Sequence, residues 1–339
     1  GSEATFGIST DNGVQLAVKQ RNAAGGVKGQ QIKLISYDDQ GKQEDVITAV
    51  TRLIQEDHVV AVLGEVASSL SLAGGQVCQR MGVPMISPSS TNAKVTAIGD
   101  MISRVCFIDS FQGYVAADFA KNKLGLTKAA ILYDRSQAYS SGLRNDFKKA
   151  FEKLGGSVVA EEAYSGGDSD YSAQLTSIKN ANPQFIYLPG YYTEVVNIAE
   201  QARKLGITQP FIGGDGWVSD KLANAGSALN GCYFSDHYAK EDDRPQVKQF
   251  LAQYKAQYGQ DPDSMAALGY DAANLLFDAM DRAKSLSGPD LAAAINSTKN
   301  FQGVTGTITI DEHRNARKGA VIQKLQDGHY SFFTRVEPE

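Results

Sequence analysis

Two stretches of this chain are built on one plan. Residues 22–40 read NAAGGVKGQQIKLISYDDQ and residues 151–170 read FEKLGGSVVAEEAYSGGDSD. In each, a helical segment ends in two glycines, an apolar segment with strand character follows, and an acidic stretch closes the unit. Glycine accepts the left-handed backbone that ends a helix, so Gly25 and Gly26, and again Gly155 and Gly156, set helix-to-strand junctions. Ile32, Leu34 and Ser36 alternate with Lys33, Ile35 and Tyr37, which predicts a mostly buried strand over residues 31–37. One supersecondary unit used twice predicts two similar α/β lobes. Two lobes predict a cleft, the usual seat of a small molecule.

The length of 339 residues suits two domains. Hydrophobic residues at 42% and charged residues at 21% are the balance of a soluble globular chain. The net charge of −5 argues against a nucleic-acid partner, which needs clustered Lys and Arg. No apolar run approaches the ~20 residues that span a bilayer. No signal peptide is visible, so the expectation is a cytosolic or already processed chain. Cys78, Cys106 and Cys232 include no CxxC pair, which disfavours a structural zinc site. A Cys78–Cys106 disulfide is the alternative to buried free thiols, and free thiols are preferred.

The first twelve residues read as a loop, and a helix follows with Val14, Ala17 and Val18 on one face. Val46, Ala49, Val50, Leu53 and Ile54 fall at helical spacing. Short apolar strands begin at Val59, Val83 and Ile102. After Asp109 the alternation restarts, with strands at Ala129, Gln184, Pro210 and Gly231. Helices are predicted over 247–258, 265–284 and 289–296, and closing strands over 306–310, 320–325 and 330–335. Apolar strands alternating with helices predict parallel sheets covered on both faces. The fold class is therefore α/β, with two Rossmann-like lobes joined by three crossings near Asp109, His237 and Lys318. The expected division is 1–109 plus 239–317 for the N-terminal lobe and 110–238 plus 318–339 for the C-terminal lobe.

Ligands of open parallel sheets sit beyond the carboxyl ends of the strands. That rule selects residues 64–69, 87–91, 134–139, 190–192 and 213–217. Ser68 opens a helix, and Ser89, Ser90 and Thr91 crowd hydroxyls and backbone groups after the next strand, so together they suit a carboxylate. Plain N-capping is the competing reading. Asp215, between glycines in GGDGW, suits an ammonium group, or serves as a turn residue. Trp217 is either ligand wall or core packing, and Tyr139 and Tyr191 add aromatic surface. Glu65 is expected to point outward.

Catalysis has little support. The chain has no GxSxG, HExxH, P-loop or GxGxxG pattern, and nothing calls for a cofactor or a metal. His58, His237, His313 and His329 are scattered and read as surface residues.

The ordered set NAAGGVKGQQIKL, YDDQ, VLGEVASS, GVPMISPSSTN, RVCFIDSFQG, LYDRSQAYSSGL, GYYTEV, GGDGW and ALGYDAA resembles the branched-chain amino-acid binding proteins of bacterial ABC transporters, which have the type I periplasmic binding fold. The resemblance runs from Phe6 to the C-terminus. It implies that Ser68 and the Thr91 N–H take a ligand carboxylate, and that the Thr91 hydroxyl and the Ser89 carbonyl take the α-ammonium. It makes Asp215, where many relatives carry Glu, the ammonium's counter-ion. It places Tyr139, Tyr191 and Phe6 at aromatic ligand positions. Trp217 completes a wall suited to a neutral, largely aliphatic α-amino acid. Relatives begin with a full strand before the loop that holds Phe6, and this sequence opens inside that loop. The implied protein is a monomeric periplasmic or lipid-anchored solute-binding protein. Its partners are an amino acid and an ABC permease, without membrane insertion of its own. A ligand-sensing domain on the same fold is the alternative, and it lacks the visible helix-turn-helix that would mark a regulator.

Overall fold

A computed structural model describes all residues, 1–339. The chain divides into two compact units. One comprises Gly1–Ile108 and Lys240–Lys318, the other Asp109–Ala239 and Gly319–Glu339.

The first unit opens with α1 (Ala4–Ala23), α2 (Gln43–Gln55), β1 (Val62–Leu63), α3 (Ser68–Met81), β2 (Met85–Ser87) and β3 (Ile102–Arg104). The strands pair in parallel in the order β1-β2-β3. Strand alternation sends successive side chains to opposite faces. Met85 accordingly joins Val46, Val50 and Val77 on the side of α2 and α3, while Ile86 joins Ala17, Leu268 and Ala272 on the other.

In the second unit, α4 (Asp109–Asp118), β4 (Lys128–Asp134), α5 (Ala138–Lys153), β5 (Ser157–Tyr164) and α6 (Ser172–Ala181) come first. They are followed by β6 (Phe185–Leu188), α7 (Tyr192–Lys204), β7 (Phe211–Gly213) and β8 (Tyr233–Asp236). The chain then adds α8 (Pro245–Tyr258), α9 (Ser264–Arg282), α10 (Gly288–Asn296), β9 (Phe301–Gly303), β10 (Gly306–Ile310) and β11 (Ala316–Arg317) to the first unit. It ends in the second with β12 (Ala320–Gln326) and β13 (His329–Val336). The seven-stranded sheet of that unit runs β13-β12-β8-β7-β6-β4-β5. Its β12 and β13 are antiparallel additions to five parallel strands. Phe147 of α5 lies flat on Tyr187 of β6, ring centroids 3.9 Å apart.

Two expectations fail locally. Residues 31–37 form no strand ladder, and Leu34 is 36% exposed. Side chains hold the segment instead: the Ile32 N–H donates to Asn22 Oδ1 at 2.7 Å, and the Tyr37 hydroxyl to Asp57 Oδ2 at 2.6 Å. Alternation along one segment specifies faces, whereas a strand also needs a partner edge. The opening residues are helical from Ala4 rather than a loop. Tertiary packing overrides the weak helix propensity of Gly, Ser and Thr there. A Cβ on Gly13 would fall 2.0 Å from the Ala266 carbonyl oxygen, so α1 and α9 touch backbone to backbone. Ser9 also donates to Asp263 Oδ2 at 2.8 Å. Of the paired glycines, Gly26 has φ +77° and Gly155 φ +89°, the left-handed conformation those junctions require.

All three cysteines are free and buried. Burial pushes the Cys78 thiol up to about 12, and the charge of Glu65 adds to the effect. No helix is long and apolar enough to cross a membrane.

Candidate functional site

In the first unit, the carboxyl ends of β1 and β2 deliver residues 64–68 and 87–91. Ala67 occupies the N-cap of α3 in extended conformation, and no side chain caps that helix. Ser68 is therefore not an N-cap. Its Oγ accepts the Asn92 N–H at 3.3 Å, which leaves its hydroxyl hydrogen to donate. Neither Ser89 nor Ser90 caps a helix: their hydroxyls donate to the Val66 carbonyl at 3.1 and 2.8 Å. Ser87 and Ser71 donate to the Glu65 carbonyl at 2.7 and 3.1 Å. Arg104, fully buried, braces the loop from below. Its guanidinium donates to the Ser90 carbonyl, to the Asn92 carbonyl at 2.8 Å, to Thr96 Oγ1 at 3.0 Å and to Asn315 Oδ1 at 2.8 Å.

Within this closely bonded loop the buried Thr91 hydroxyl has no hydrogen-bond partner. A buried polar atom without a partner costs about 1–3 kcal/mol. Phe6 sits buried in the first turn of α1 rather than in a loop.

Glu65 departs from expectation. It is half-buried, and its Cγ lies among Val46, Val50 and Gly74 of α2 and α3. Burial, then a hydrogen bond to Asp39, holds it well above the usual carboxylate range. A carboxyl raised on folding contributes stability below its unfolded value and loses it as pH rises toward the folded value. Glu65→Gln, which keeps the neutral form, is therefore expected to unfold with the parent at acid pH and at progressively higher temperature above it. Thermal melts across pH check this, and a difference independent of pH would contradict it.

The second unit presents its cluster at the ends of β4, β6, β7 and β8. Asp215 begins a short 3-10 turn directly after β7 and is 3% exposed. The Tyr139 hydroxyl donates to Asp215 Oδ1 at 2.7 Å and accepts the Gly216 N–H at 3.0 Å. Burial and then the charge of Asp215 push the Tyr139 phenol well above its ordinary value, which keeps it a donor. Tyr191, the N-cap of α7, stacks on Tyr139 with centroids 5.1 Å apart. The Asp215 N–H donates to Gln112 Oε1 at 2.9 Å, and the Ser235 hydroxyl reaches the same oxygen at 2.7 Å.

Trp217 resolves to packing. Its ring is 0% exposed and lies against the Cα of Gly213, its Nε1–H donates to the Leu188 carbonyl at 2.9 Å, and Phe234 flanks it. A single glycine makes room for the indole and fixes the turn that carries Asp215.

His237 corrects the sequence reading. It is fully buried, and its Nε2 is 2.8 Å from Asp215 Oδ2. His58, His313 and His329 are exposed, as read from the sequence. The signal was present: His237 directly follows β8, the position that marks ligand loops in parallel sheets. Gln112 and Arg104 gave less, because an interior Gln or Arg announces its partners only in three dimensions.

Hydroxyls and backbone groups thus gather at the strand ends of one α/β unit, and a braced carboxylate lies beside aromatic rings in the other. The periplasmic binding protein family matches residues 1–329, and the chain belongs to it. It is 31% identical over 315 residues to the leucine-, isoleucine-, valine-, threonine-, and alanine-binding protein of Pseudomonas aeruginosa, covering 92% of this chain and 83% of that one. A solved leucine-binding protein from Thermotoga maritima is 38% identical, with a TM-score of 0.95 over 99% of this chain and 95% of its own. The branched-chain amino acid transporter substrate-binding protein of Streptococcus pneumoniae, solved in complex with isoleucine, is 32% identical, with a TM-score of 0.90 over 98% and 96%.

Proposed function

We propose that this solute-binding protein takes a neutral, largely aliphatic α-amino acid and presents it to the membrane permease of an ABC transporter. The first unit supplies carboxylate recognition through Ser68 and Thr91, with the Ser89 carbonyl and the Thr91 hydroxyl turned to the ammonium. The second supplies the counter-ion Asp215. Tyr139, Tyr191 and Phe6 enclose the apolar side chain, and Trp217 acts behind Asp215 as support. The passages of the chain at 108/109, 239/240 and 318/319 serve as hinges for closure on the ligand. The protein works outside the cytoplasm as a monomer, after removal of a signal segment and with or without a lipid anchor. The relatives' names for leucine, isoleucine, valine, threonine and alanine support this range.

The observation that carries the reading is the buried, partnerless hydroxyl of Thr91 in a loop whose other serines are committed to the backbone. Thr91→Val removes that hydroxyl at nearly constant shape. It is expected to leave thermal stability unchanged or higher, and to weaken amino-acid binding ~10-fold or more, the effect of one hydrogen bond to a charged group. Loss of both together would make the hydroxyl structural. A thermal-shift screen of the common amino acids identifies the ligand, because a ligand that binds only the folded state raises the midpoint by mass action. A response confined to lysine or arginine would overturn the aliphatic reading.

A further inference from the structure

Asp215 is not an empty counter-ion. One carboxylate oxygen accepts the Tyr139 hydroxyl at 2.7 Å, and the other lies 2.8 Å from Nε2 of the fully buried His237. Tyrosine brings no positive charge to that bond, whereas imidazole is the side chain that changes charge between about pH 5 and pH 8. The same 2.8 Å contact therefore has two electrostatic meanings. With a neutral ring, Nε2–H is a dipole that orients the carboxylate and leaves its full negative charge. With an imidazolium, the carboxylate is already paired.

We propose that His237 is a positioning residue of the ammonium site: neutral, it holds Asp215 ready for the ligand's α-ammonium, and protonated, it takes the Asp215 charge and displaces that ammonium. The inference rests on Asp215 being the ammonium's counter-ion. It adds that the site discriminates by the proton on His237, so that a zwitterionic amino acid and a proton compete for one carboxylate.

The surroundings fit a site in which this competition is balanced. At the end of β8, Asp236 Oδ1 accepts the His237 backbone N–H at 2.7 Å, and Asp236 Oδ2 accepts from Gln323 of β12 at 3.1 Å. From α4, Asp109 accepts Gln112 Nε2 at 2.9 Å, and Gln112 in turn receives the Asp215 N–H. From α5 comes the Tyr139 phenol, and from β6 the buried Tyr187 phenol, which feels the charges of Asp109 and Asp215. The arrival of a second cation, the ligand's ammonium, tips the ring to neutral and expels a proton.

Calorimetry of the full chain with L-leucine and L-alanine, between about pH 5.5 and pH 8, tests this. The parent is expected to bind more weakly as pH falls, by at least ~5-fold over the range and by at most ~10-fold per pH unit. Near the middle of the range, titrations in buffers of different ionisation enthalpy are expected to show a proton released on binding. His237→Gln retains a donor for Asp215 and is expected to change by less than ~2-fold across the same range, with no proton released. If that variant fails to fold, the buffer comparison on the parent alone decides. Tight leucine binding that is flat with pH and releases no proton would overturn the role of His237 and leave the amino-acid reading standing. An unchanged pH slope in His237→Gln would do the same. No binding of either amino acid at about pH 8 would overturn both.

Discussion

Asp215→Ala is expected to weaken L-leucine binding by about 3 kcal/mol or more, a loss of ~100-fold or greater. The α-ammonium would then be desolvated without its counter-charge, and an unpaired buried charge is among the costliest defects a site can carry. The variant should nevertheless fold. The Tyr139 hydroxyl keeps the Gly216 N–H, and Trp217 keeps its bond to the Leu188 carbonyl, so the turn after β7 retains its anchors. Calorimetry beside circular dichroism separates the two effects. Parent-like affinity in a folded variant would make Asp215 a turn residue and nothing more.

Arg104→Met is expected to be the most damaging single change in the first unit. The guanidinium satisfies two carbonyls of the serine loop together with Thr96 and Asn315. A Met side chain fills similar volume but removes these four bonds, leaving the Asn92 carbonyl with the Val95 N–H, the Ser90 carbonyl with the Cys106 thiol, and Thr96 with Asn315. At about 1.5–3 kcal/mol for each hydrogen bond to a charged group, partly offset because no guanidinium has to be buried, the net loss is roughly 4 kcal/mol. For a unit of this size that is a fall in Tm of about 8–16 °C. Ligand binding should weaken with it, because the same loop carries Ser89 and Thr91. A melting point within a few degrees of the parent would show that the loop holds its shape without the brace.

The frame of the molecule was legible where pattern and packing agree. β10 spans Gly306–Ile310 as its alternation predicts, and α8 to α10 start within two residues of expectation, since long apolar faces at helical spacing leave little choice. Residues 31–37 show the limit: their alternation is sound, but no neighbouring backbone pairs with them. The first turns of α1 show the converse, where Gly13 buys helix by contact with α9 against weak propensity. In the candidate site, sequence disclosed residue types at strand ends and not their bonding. Ser68 and Ser89 looked alike, yet one keeps a hydrogen to donate and the other spends it on the Val66 carbonyl. Trp217 beside Asp215 looked like wall as much as core until Gly213 was seen to admit its ring. His237 stood at a strand end where ligand loops begin, but only the meeting of its ring with Asp215, 22 residues earlier, tells it from a surface histidine.

The proposed site requires one bound molecule to bring both a carboxylate and an ammonium. Calorimetric titration of the parent with L-leucine and with 4-methylpentanoate, the same skeleton without the amino group, tests it most directly. Leucine is expected to bind at least ~100-fold tighter, since the deaminated acid leaves the Asp215 charge without an ammonium. Equal affinity for the two would contradict it.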